Sequence, residues 1–305
     1  MIDLAPIVLV LIIAATLDWI WAEPPEAIHP IAWIGSVIAY LDRDWQRPLL
    51  VGGILSIITP LVTSGVVWAL LTGLSTVSRN LTIVLCGGLL FTMISLRRLI
   101  DSANRIIVKS DTNTEQAREQ LITLVGREKS SLSPAEIRSA AVESAAENYA
   151  DGFIAPLLAF MIIAPVSLSL GGAAAVWVKT INTMDSMLGY QHKELGTAAA
   201  RLDDLTMWLP ARLSAGLLSV SAGTPDPVLT ARRWAQHPDS PNAGWPMGTI
   251  AGALHVQLSK PDAYTLNPTA SLPTTEQAQK GIQLVQRAGI LAYAIGIIYG
   301  VILWM

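Results

Sequence analysis

The 305-residue chain is rich in apolar residues and poor in charge. Charged residues make up 14% of it and hydrophobic residues 52%, whereas soluble globular proteins carry about 25% charged residues. This composition predicts an integral membrane protein. A net charge of −3 without a long basic run argues against a nucleic-acid-binding protein. The single cysteine, Cys86, excludes an intramolecular disulfide and a thiolate zinc cluster.

Four apolar stretches are predicted to cross the membrane, since a bilayer core about 30 Å thick requires about 20 apolar residues per helix. They are 4–22, 49–74, the short stretch 81–96, and 288–305. The first is interpreted as a retained helix rather than a secretory signal, because no Lys or Arg precedes it and no small-residue cleavage site follows. The chain is therefore predicted to be an all-α, polytopic membrane helical bundle, with residues 1–305 forming one integral membrane domain.

A fifth apolar stretch, 152–178, is free of charge for 27 residues but contains helix-interrupting residues. These are Pro165 and the pair Gly171-Gly172. The pattern is compatible with one kinked span or with a hairpin that turns back near Pro165 and Gly171. The choice between the two depends on the orientation of the flanking loops.

The positive-inside rule orients the chain, because eight of its twenty Lys and Arg residues lie in 97–138. This loop is therefore predicted to be cytoplasmic. Two short crossings place 23–48 on the same side, and a hairpin in 152–178 keeps the polar segment 179–204 there too. We accordingly expect an external N-terminus and polar, motif-bearing loops gathered on the cytoplasmic side.

Outside the spans, one helix start is well marked. Pro134 at the first helical position and Glu136 three residues after Ser133 form a capping signature. Residues 205–220 are predicted to form an amphipathic or interior helix. The segment 221–287 is rich in Pro, Gly and Asn, so ordered turns are predicted there rather than a packed helix pair.

Three carboxylates follow one face of the helix that Ser133 opens. Glu143, Glu147 and Asp151 recur at i, i+4 and i+8, and Asn148 lies beside them. A solvated surface is the simplest interpretation of such a face, but the basic partners that normally alternate with carboxylates are missing here. Oxygen ligands at a membrane edge suit a hard cation such as Mg²⁺, so these three carboxylates are predicted to bind metal.

A second polar group lies in KTINTMDSMLGY. Lys179, Asn182 and Asp185 follow at i, i+3 and i+6, which keeps them on one side of a helix. Ser186 and Tyr190 occupy neighbouring positions. This arrangement favours a polar binding surface at the end of the apolar stretch.

Beyond that helix, which Gly189 is predicted to end, charges continue in RLDD and LPAR. Arg201 and Asp204 are spaced i, i+3 and are compatible with a weak surface salt bridge. Asp203, Asp204 and Arg212, however, border an apolar stretch, where unpaired charge is costly and tends to be functional.

A third element, HPDSPNAGWPMG, contains Ser240 and Asn242 in a chain of tight turns. Its backbone N–H groups are candidates for an anion-binding nest, although a loop without function has the same composition. His29, before Pro30, is a lone histidine near a span end, for which a structural role is favoured on position alone.

Several common catalytic signatures are absent from the sequence. It contains no GxxxxGK[ST], no GxGxxG after a strand, no HExxH and no GxSxG. A Walker-type ATPase, a Rossmann dehydrogenase, a zincin and an α/β-hydrolase are therefore disfavoured.

Taken in order, the polar motifs resemble the adenosylcobinamide-phosphate synthase family of cobalamin biosynthesis, the CobD/CbiB type. The resemblance is carried by LDWIWAEPPEAIHPIAWIG, LVGRE, ESAAENYADGFIAPL, KTINTMDSMLGY, RLDD, LPAR and HPDSPNAGWPM, over residues 17 to about 260. Three positions depart from the family pattern. Glu23 and Glu128 stand where the family usually has Asp, and Met207 stands where it commonly has Asn.

The resemblance implies a multi-pass membrane enzyme that joins adenosylcobyric acid to an aminopropanol, or to its phosphate ester, through an amide bond with ATP and Mg²⁺. The implied partners are the corrinoid, the aminopropanol, the lipid bilayer and other corrinoid-pathway membrane enzymes, without nucleic acid. The side-chain types indicate Glu147, Asp185 and Lys179 as catalytic candidates. The candidates for binding substrate or ATP are His29, Arg127, Asn148, Asn182, Ser186, Tyr190, Arg201, Asp203, Asp204, Arg212, Ser240 and Asn242.

The alternative function is a secondary transporter, in which the broken segment 152–178 and intramembrane carboxylates form an ion or substrate pathway. A transporter should hold its polar residues inside the spans. Here they cluster at span ends and in loops, which favours the enzyme. A noncatalytic scaffold would not require such dense polar motifs of mixed charge.

Overall fold

The computed structural model describes residues 5–125, 132–190, 193–261 and 263–303, and helices dominate these residues. The helices and strands in chain order are α1 (Ala5–Trp21), α2 (Pro30–Leu41), α3 (Pro48–Val77), α4 (Arg79–Met93), α5 (Leu96–Thr112), α6 (Thr114–Val125), α7 (Pro134–Tyr149), α8 (Ala155–Ile163), α9 (Leu168–Leu188), α10 (Thr197–Thr206), α11 (Trp208–Ala222), α12 (Asp226–Trp234), α13 (Gly244–Leu254), β1 (Leu258–Lys260), β2 (Tyr264–Leu266) and α14 (Thr275–Ile302). The all-α class predicted from the sequence is confirmed.

The chain divides into two compact units. Unit 1 comprises Met1–Ser95, Gly152–Met207 and Tyr293–Met305, and unit 2 comprises Leu96–Asp151 and Trp208–Ala292. Each unit is therefore built from segments that are distant in sequence. The prediction of a single catalytic domain over residues 1–305 stays a prediction.

Four described segments are long and apolar enough to cross a membrane, judged by length and composition. They are Pro48–Val77, Arg79–Thr112, Pro134–Ile163 and Thr275–Ile302. The first, second and fourth include the predicted stretches 49–74 and 81–96 and most of 288–305. The third was not predicted as a span, because its first half carries the polar residues of α7.

The predicted first span corresponds to α1, which has 17 residues. At a rise of 1.5 Å per residue, a helix of this length covers about 26 Å, slightly less than a bilayer core. Large apolar side chains are exposed along it, including Leu9, Ile12 and Ile20. These exposures suit a lipid-facing helix.

The apolar stretch 152–178 forms a hairpin in unit 1. Helix α8 ends at Ile163, a turn contains Pro165, and α9 begins at Leu168 and packs back on α8. Gly171 lies within α9, where a Cβ would come 2.7 Å from the Cβ of Ala164. The predicted hairpin is confirmed, and Gly171 permits its close packing rather than breaking the helix.

In unit 2, α7 begins as predicted. Ser133 caps the helix by accepting the Glu136 N–H, and the Glu136 carboxylate accepts the Ser133 N–H in return. The predicted helix over 205–220 corresponds to α11, which buries one side that includes Ala211, Ser214 and Leu218.

The prediction of turns without a packed helix pair in 221–287 is wrong. Helices α12 and α13 pack closely, because glycines recur at every fourth position of α13. A Cβ on Gly244 would lie 2.3 Å from the Ala235 carbonyl oxygen, and one on Gly248 would lie 3.0 Å from the Ala231 Cα. Small residues at this spacing let helix backbones approach closely.

Candidate functional site

In unit 1 the polar side chains of α9 lie near its C-terminal end, which Gly189 terminates as predicted. Lys179, Asn182 and Asp185 are half-buried. Ser186 is exposed, and its hydroxyl donates 2.9 Å to the carbonyl of Asn182 in the preceding turn. The C-terminal part of the helix therefore carries an ammonium, an amide and a carboxylate, each partly enclosed.

Asp185 lies in an environment that opposes its ionisation. Burial, and next the nearby Asp204 carboxylate, raise the pKa of Asp185 above its ordinary value. Burial also raises the pKa of Asp204, while Arg201 acts in the opposite direction. Two carboxylates from α9 and α10 thus share one electrostatic environment, an arrangement that is common where a group exchanges protons during a reaction.

The predicted pairing of Arg201 with Asp204 is long, with 4.0 Å between the guanidinium nitrogen Nη1 and the carboxylate oxygen Oδ2. The Arg201 side chain is 82% exposed, so this pair contributes little to stability. Asp203, in contrast, is buried. Its neighbour Met207 is also buried and packs with Ala155 and Val178.

His29 is held in one orientation at the start of α2. Its Nδ1 accepts the Ile31 N–H at 3.2 Å, and its Nε2 lies 3.2 Å from the Glu23 carboxylate. Burial, and next the nearby Lys179 ammonium, lower the pKa of His29. These contacts favour the neutral ring with hydrogen on Nε2. His29 therefore combines the structural role expected from its position with proximity to Lys179.

A π-helical turn, Ala150–Ile154, separates α7 from α8. It contains Asp151 and Gly152, and a Cβ on Gly152 would come 3.8 Å from the Lys179 ammonium nitrogen. Such turns are rare and occur frequently at functional sites. No sequence pattern indicated this one, because it arises within an otherwise regular helical stretch.

In unit 2 the three predicted metal ligands have different surroundings. Glu143 is 6% exposed and accepts hydrogen bonds of 2.8 Å from both the Ser139 hydroxyl and the Tyr264 hydroxyl. Glu147 and Asp151 are half-buried. The network gives Glu143 a structural role, because it joins α7 to β2.

Among the described residues, no group of three His, Cys, Asp or Glu side chains is arranged to hold a metal ion. Asp151 follows Glu147 by four residues in sequence, but it lies in the π turn. The wider turn moves Asp151 away from the position that it would take in a regular α-helix. Metal binding by Glu143, Glu147 and Asp151 stays a prediction. Mg²⁺ is commonly held by one or two carboxylates together with substrate phosphates, and Glu147 and Asp151 fit that donor set.

Arg212 is oriented by aromatic rings and by a buried amide. Its guanidinium lies 4.4 Å from the ring centre of Trp208 and 5.0 Å from that of Trp245. It also donates 3.1 Å to the side-chain oxygen of Asn242, which is 3% exposed. The two tryptophans were not among the predicted site residues, although their neighbouring motifs were.

Two N–H groups of the predicted anion-binding nest are already used within the turn before α13. The Ser240 hydroxyl oxygen accepts the backbone N–H groups of Asn242 at 3.2 Å and Ala243 at 3.4 Å. Anion binding by the other N–H groups of this turn stays a prediction, and the Asn242 side chain accepts its hydrogen bond from Arg212.

The remaining predicted residues have simpler surroundings or lie outside the description. Asn148 donates 2.9 Å to the Ser144 carbonyl within α7. Tyr190 is 40% exposed, just beyond α9. Arg127 lies outside the described residues, and so does Glu128 of the same motif.

Comparison with known proteins identifies the family. The profile of the CobD/Cbib protein family matches residues 11–291. A probable cobalamin biosynthesis protein CobD from Methanothrix thermoacetophila is 35% identical, over 93% of each chain. The cobalamin biosynthesis protein CobD of Dehalococcoides mccartyi is 34% identical over 96% of this chain and 98% of its own. That of Klebsiella pneumoniae is 36% identical over 83% of this chain and 82% of its own.

No solved structure matches the chain. The family profile covers most of the residues that form both units, and the relatives align over nearly their full length. Their names support a role in cobalamin biosynthesis. The chain is a member of the CobD/CbiB family.

Proposed function

We propose that this protein is an ATP- and Mg²⁺-dependent ligase. It would join the free carboxylate of adenosylcobyric acid to (R)-1-amino-2-propanol, or to its O-phosphate, to give adenosylcobinamide or its phosphate. Family membership supports the cobalamin pathway. The observation that carries the reaction type is the half-buried Asp185 of α9, the helix that also carries Lys179. Burial, and next the Asp204 carboxylate, raise the pKa of Asp185.

An amine attacks an acyl carbon only as the neutral base, so its ammonium form must first lose a proton. A carboxylate with a raised pKa accepts that proton more readily than an ordinary one. We assign this general-base role to Asp185, with burial, and next Asp204, maintaining the raised pKa. Asn182, one turn earlier on the same helix, is assigned to orient the substrate.

A carboxylate resists attack by an amine because its oxygen is a poor leaving group. ATP, bound with Mg²⁺, would supply the phosphoryl group that turns this oxygen into a leaving group. Glu147 and Asp151 are the carboxylates assigned to hold Mg²⁺. Lys179 is the cation assigned to phosphate, since fixed positive charge stabilises developing negative charge.

His29 is assigned to positioning. As the neutral ring between Glu23 and the Ile31 N–H, it adds no positive charge near Lys179. Cytoplasmic loops and contacts with other corrinoid-pathway membrane enzymes remain part of the proposal.

Reconstitution tests this function. Purified protein receives adenosylcobyric acid, ATP, Mg²⁺ and either aminopropanol or its phosphate, and the amide product is sought by mass spectrometry. We expect product only when a hydrolysable nucleotide and a divalent cation are both present. Full activity in EDTA without nucleotide would exclude an ATP-dependent ligase, and substrate movement across vesicles without amide formation would favour the transporter.

A further inference from the structure

A cavity of about 250 Å³ lies in unit 1 at the opposite end of α9 from Asp185. It is lined by the first residues of α1, by the segment joining α3 to α4, and by the turn between α8 and α9. Ser169 and Asp185 are 16 residues apart in α9, which corresponds to about 24 Å along the helix. The cavity is therefore separate from the candidate catalytic residues.

The cavity is lined by apolar side chains together with one cation and several hydroxyl groups. Among the described residues that line it, Arg79 is the only charged one, and it is accompanied by Ser75, Thr82, Ser167 and Ser169. The volume is close to the lower end of the range of about 300–1,000 Å³ that small-molecule sites occupy. A small anionic group is the ligand that this lining favours.

The hydroxyl groups divide into two kinds. Those of Ser75 and Thr82 donate within their own helices, to the Thr72 carbonyl at 2.7 Å and to the Ser78 carbonyl at 2.9 Å. Ser169 is 4% exposed and lines the cavity, and its hydroxyl makes no hydrogen bond to any described residue. Ser169 therefore has a donor available for a ligand in the cavity.

Two helices begin at this cavity. Helix α4 starts at Arg79, and α9 starts after Ser167, whose side chain makes no capping hydrogen bond. The first N–H groups of α9 therefore lack a side-chain acceptor. Helix N-termini carry partial positive charge and bind phosphate readily. The uncapped helix start, the guanidinium and the Ser169 hydroxyl all favour the same type of ligand.

We propose that this cavity is a phosphate-binding site. It would bind the phosphodiester of an anionic lipid headgroup or a free phosphate, through Arg79, Ser169 and the N-terminus of α9. The lining segments lie at the ends of α1, α3, α4 and α8, which the predicted topology places together on the external side. This site does not depend on the proposed ligase function.

The test uses the full-length protein in detergent. Native mass spectrometry measures retention of phosphatidylglycerol, and a thermal shift measures binding of inorganic phosphate. We expect one bound phosphatidylglycerol per chain, or a higher melting temperature with phosphate. Arg79→Gln and Ser169→Ala should each weaken binding by about tenfold or more, the effect of losing one hydrogen bond to a charged group.

Matched controls are Ser75→Ala, whose hydroxyl is already used within α3, and Arg232→Gln on the exposed surface of α12. Both should bind like the wild type. Retention of phosphatidylglycerol without a thermal shift from inorganic phosphate identifies a lipid headgroup site. A thermal shift from inorganic phosphate without retained phosphatidylglycerol identifies a free phosphate site. The proposal is overturned if neither probe binds, or if Arg79→Gln and Ser169→Ala bind normally. Ser167→Ala replaces Ser169→Ala if that variant does not fold.

Discussion

At the scale of single residues, the carboxylate of Asp185 destabilises the folded protein when it is ionised. Its folded pKa lies above its unfolded value because of burial and Asp204. The folded state therefore binds its proton more tightly than the unfolded state does. Proton binding by Asp185 therefore stabilises the folded state. This stabilisation is complete below the pKa that Asp185 has in the unfolded chain, and it is lost as pH rises through the pKa that Asp185 has in the folded protein.

We accordingly expect Asp185→Asn to raise the melting temperature at neutral pH, because the ionised carboxylate is removed. The gain over the wild type should shrink as pH falls towards 3.8, the ordinary value for this side chain. Amide formation should fall by about a hundredfold or more, the usual scale of a lost general base. Thermal unfolding and product assays check both effects, with exposed Asp44→Asn as the control. An unchanged turnover rate would remove Asp185 from the reaction.

Glu147 and Glu143 are separated by one helical turn and are expected to respond differently. Glu147→Gln keeps the shape of the side chain and removes a ligand charge, so turnover should fall by about a hundredfold or more with an unchanged melting temperature. Glu143→Gln leaves an amide facing the Ser139 or Tyr264 hydroxyl, and should cost about 1–3 kcal/mol of stability.

The control for this pair is Glu119→Gln, on an exposed position of α6. Near-wild-type turnover of Glu147→Gln at saturating Mg²⁺ would return Glu147 to the role of a solvated surface residue. An unchanged melting temperature of Glu143→Gln would show that its buried network contributes little.

At the scale of elements, the sequence predicted features that depend on neighbouring residues. The capping box at Ser133 and the helix end at Gly189 are local, and both are confirmed. Glu143 is different, because its partner Tyr264 lies 121 residues away and no local pattern links them. The α12–α13 pair was missed because Pro and Gly content was given more weight than the four-residue spacing of the glycines.

That helix pair provides an element-scale prediction. Gly244→Ala places a Cβ 2.3 Å from the Ala235 carbonyl oxygen, so backbone must move, and we expect a loss of about 1–3 kcal/mol. Gly216→Ala in α11 has no neighbour within 4 Å of the new Cβ and should be neutral or slightly stabilising, since Ala favours helix. Urea unfolding in detergent compares the two. Equal free energies of unfolding for Gly244→Ala and Gly216→Ala would show that close backbone packing of α13 contributes little to stability.

At the scale of the whole molecule, composition predicted a polytopic helical protein, and the hairpin of α8 and α9 is compatible with the predicted orientation of the loops. If the hairpin of α8 and α9 returns the chain to the side from which α7 starts, the polar segments 97–138 and 179–204 both lie on the cytoplasmic side. The division into two units was not predictable, since it depends on contacts between distant segments.

Cysteine labelling tests this topology. Glu119→Cys and Glu194→Cys, both at exposed positions, are introduced with the buried Cys86 changed to Ala. We expect neither to react with a membrane-impermeant maleimide in intact cells and both to react after permeabilisation. An external position 194 with an internal position 119 would contradict the proposed orientation.

The central claim is that ATP activates the corrinoid carboxylate for attack by the amine. Adenosylcobyric acid labelled with ¹⁸O in that carboxylate tests it in a single turnover with ATP, Mg²⁺ and the aminopropanol. One labelled oxygen should remain in the amide and the other should leave with inorganic phosphate. Phosphoryl transfer from ATP releases ADP and keeps both carboxylate oxygens, and attack of the amine on the acyl carbon then breaks the C–O bond to the phosphorylated oxygen. Amide formation with unlabelled phosphate, or with the label in AMP, would contradict the account.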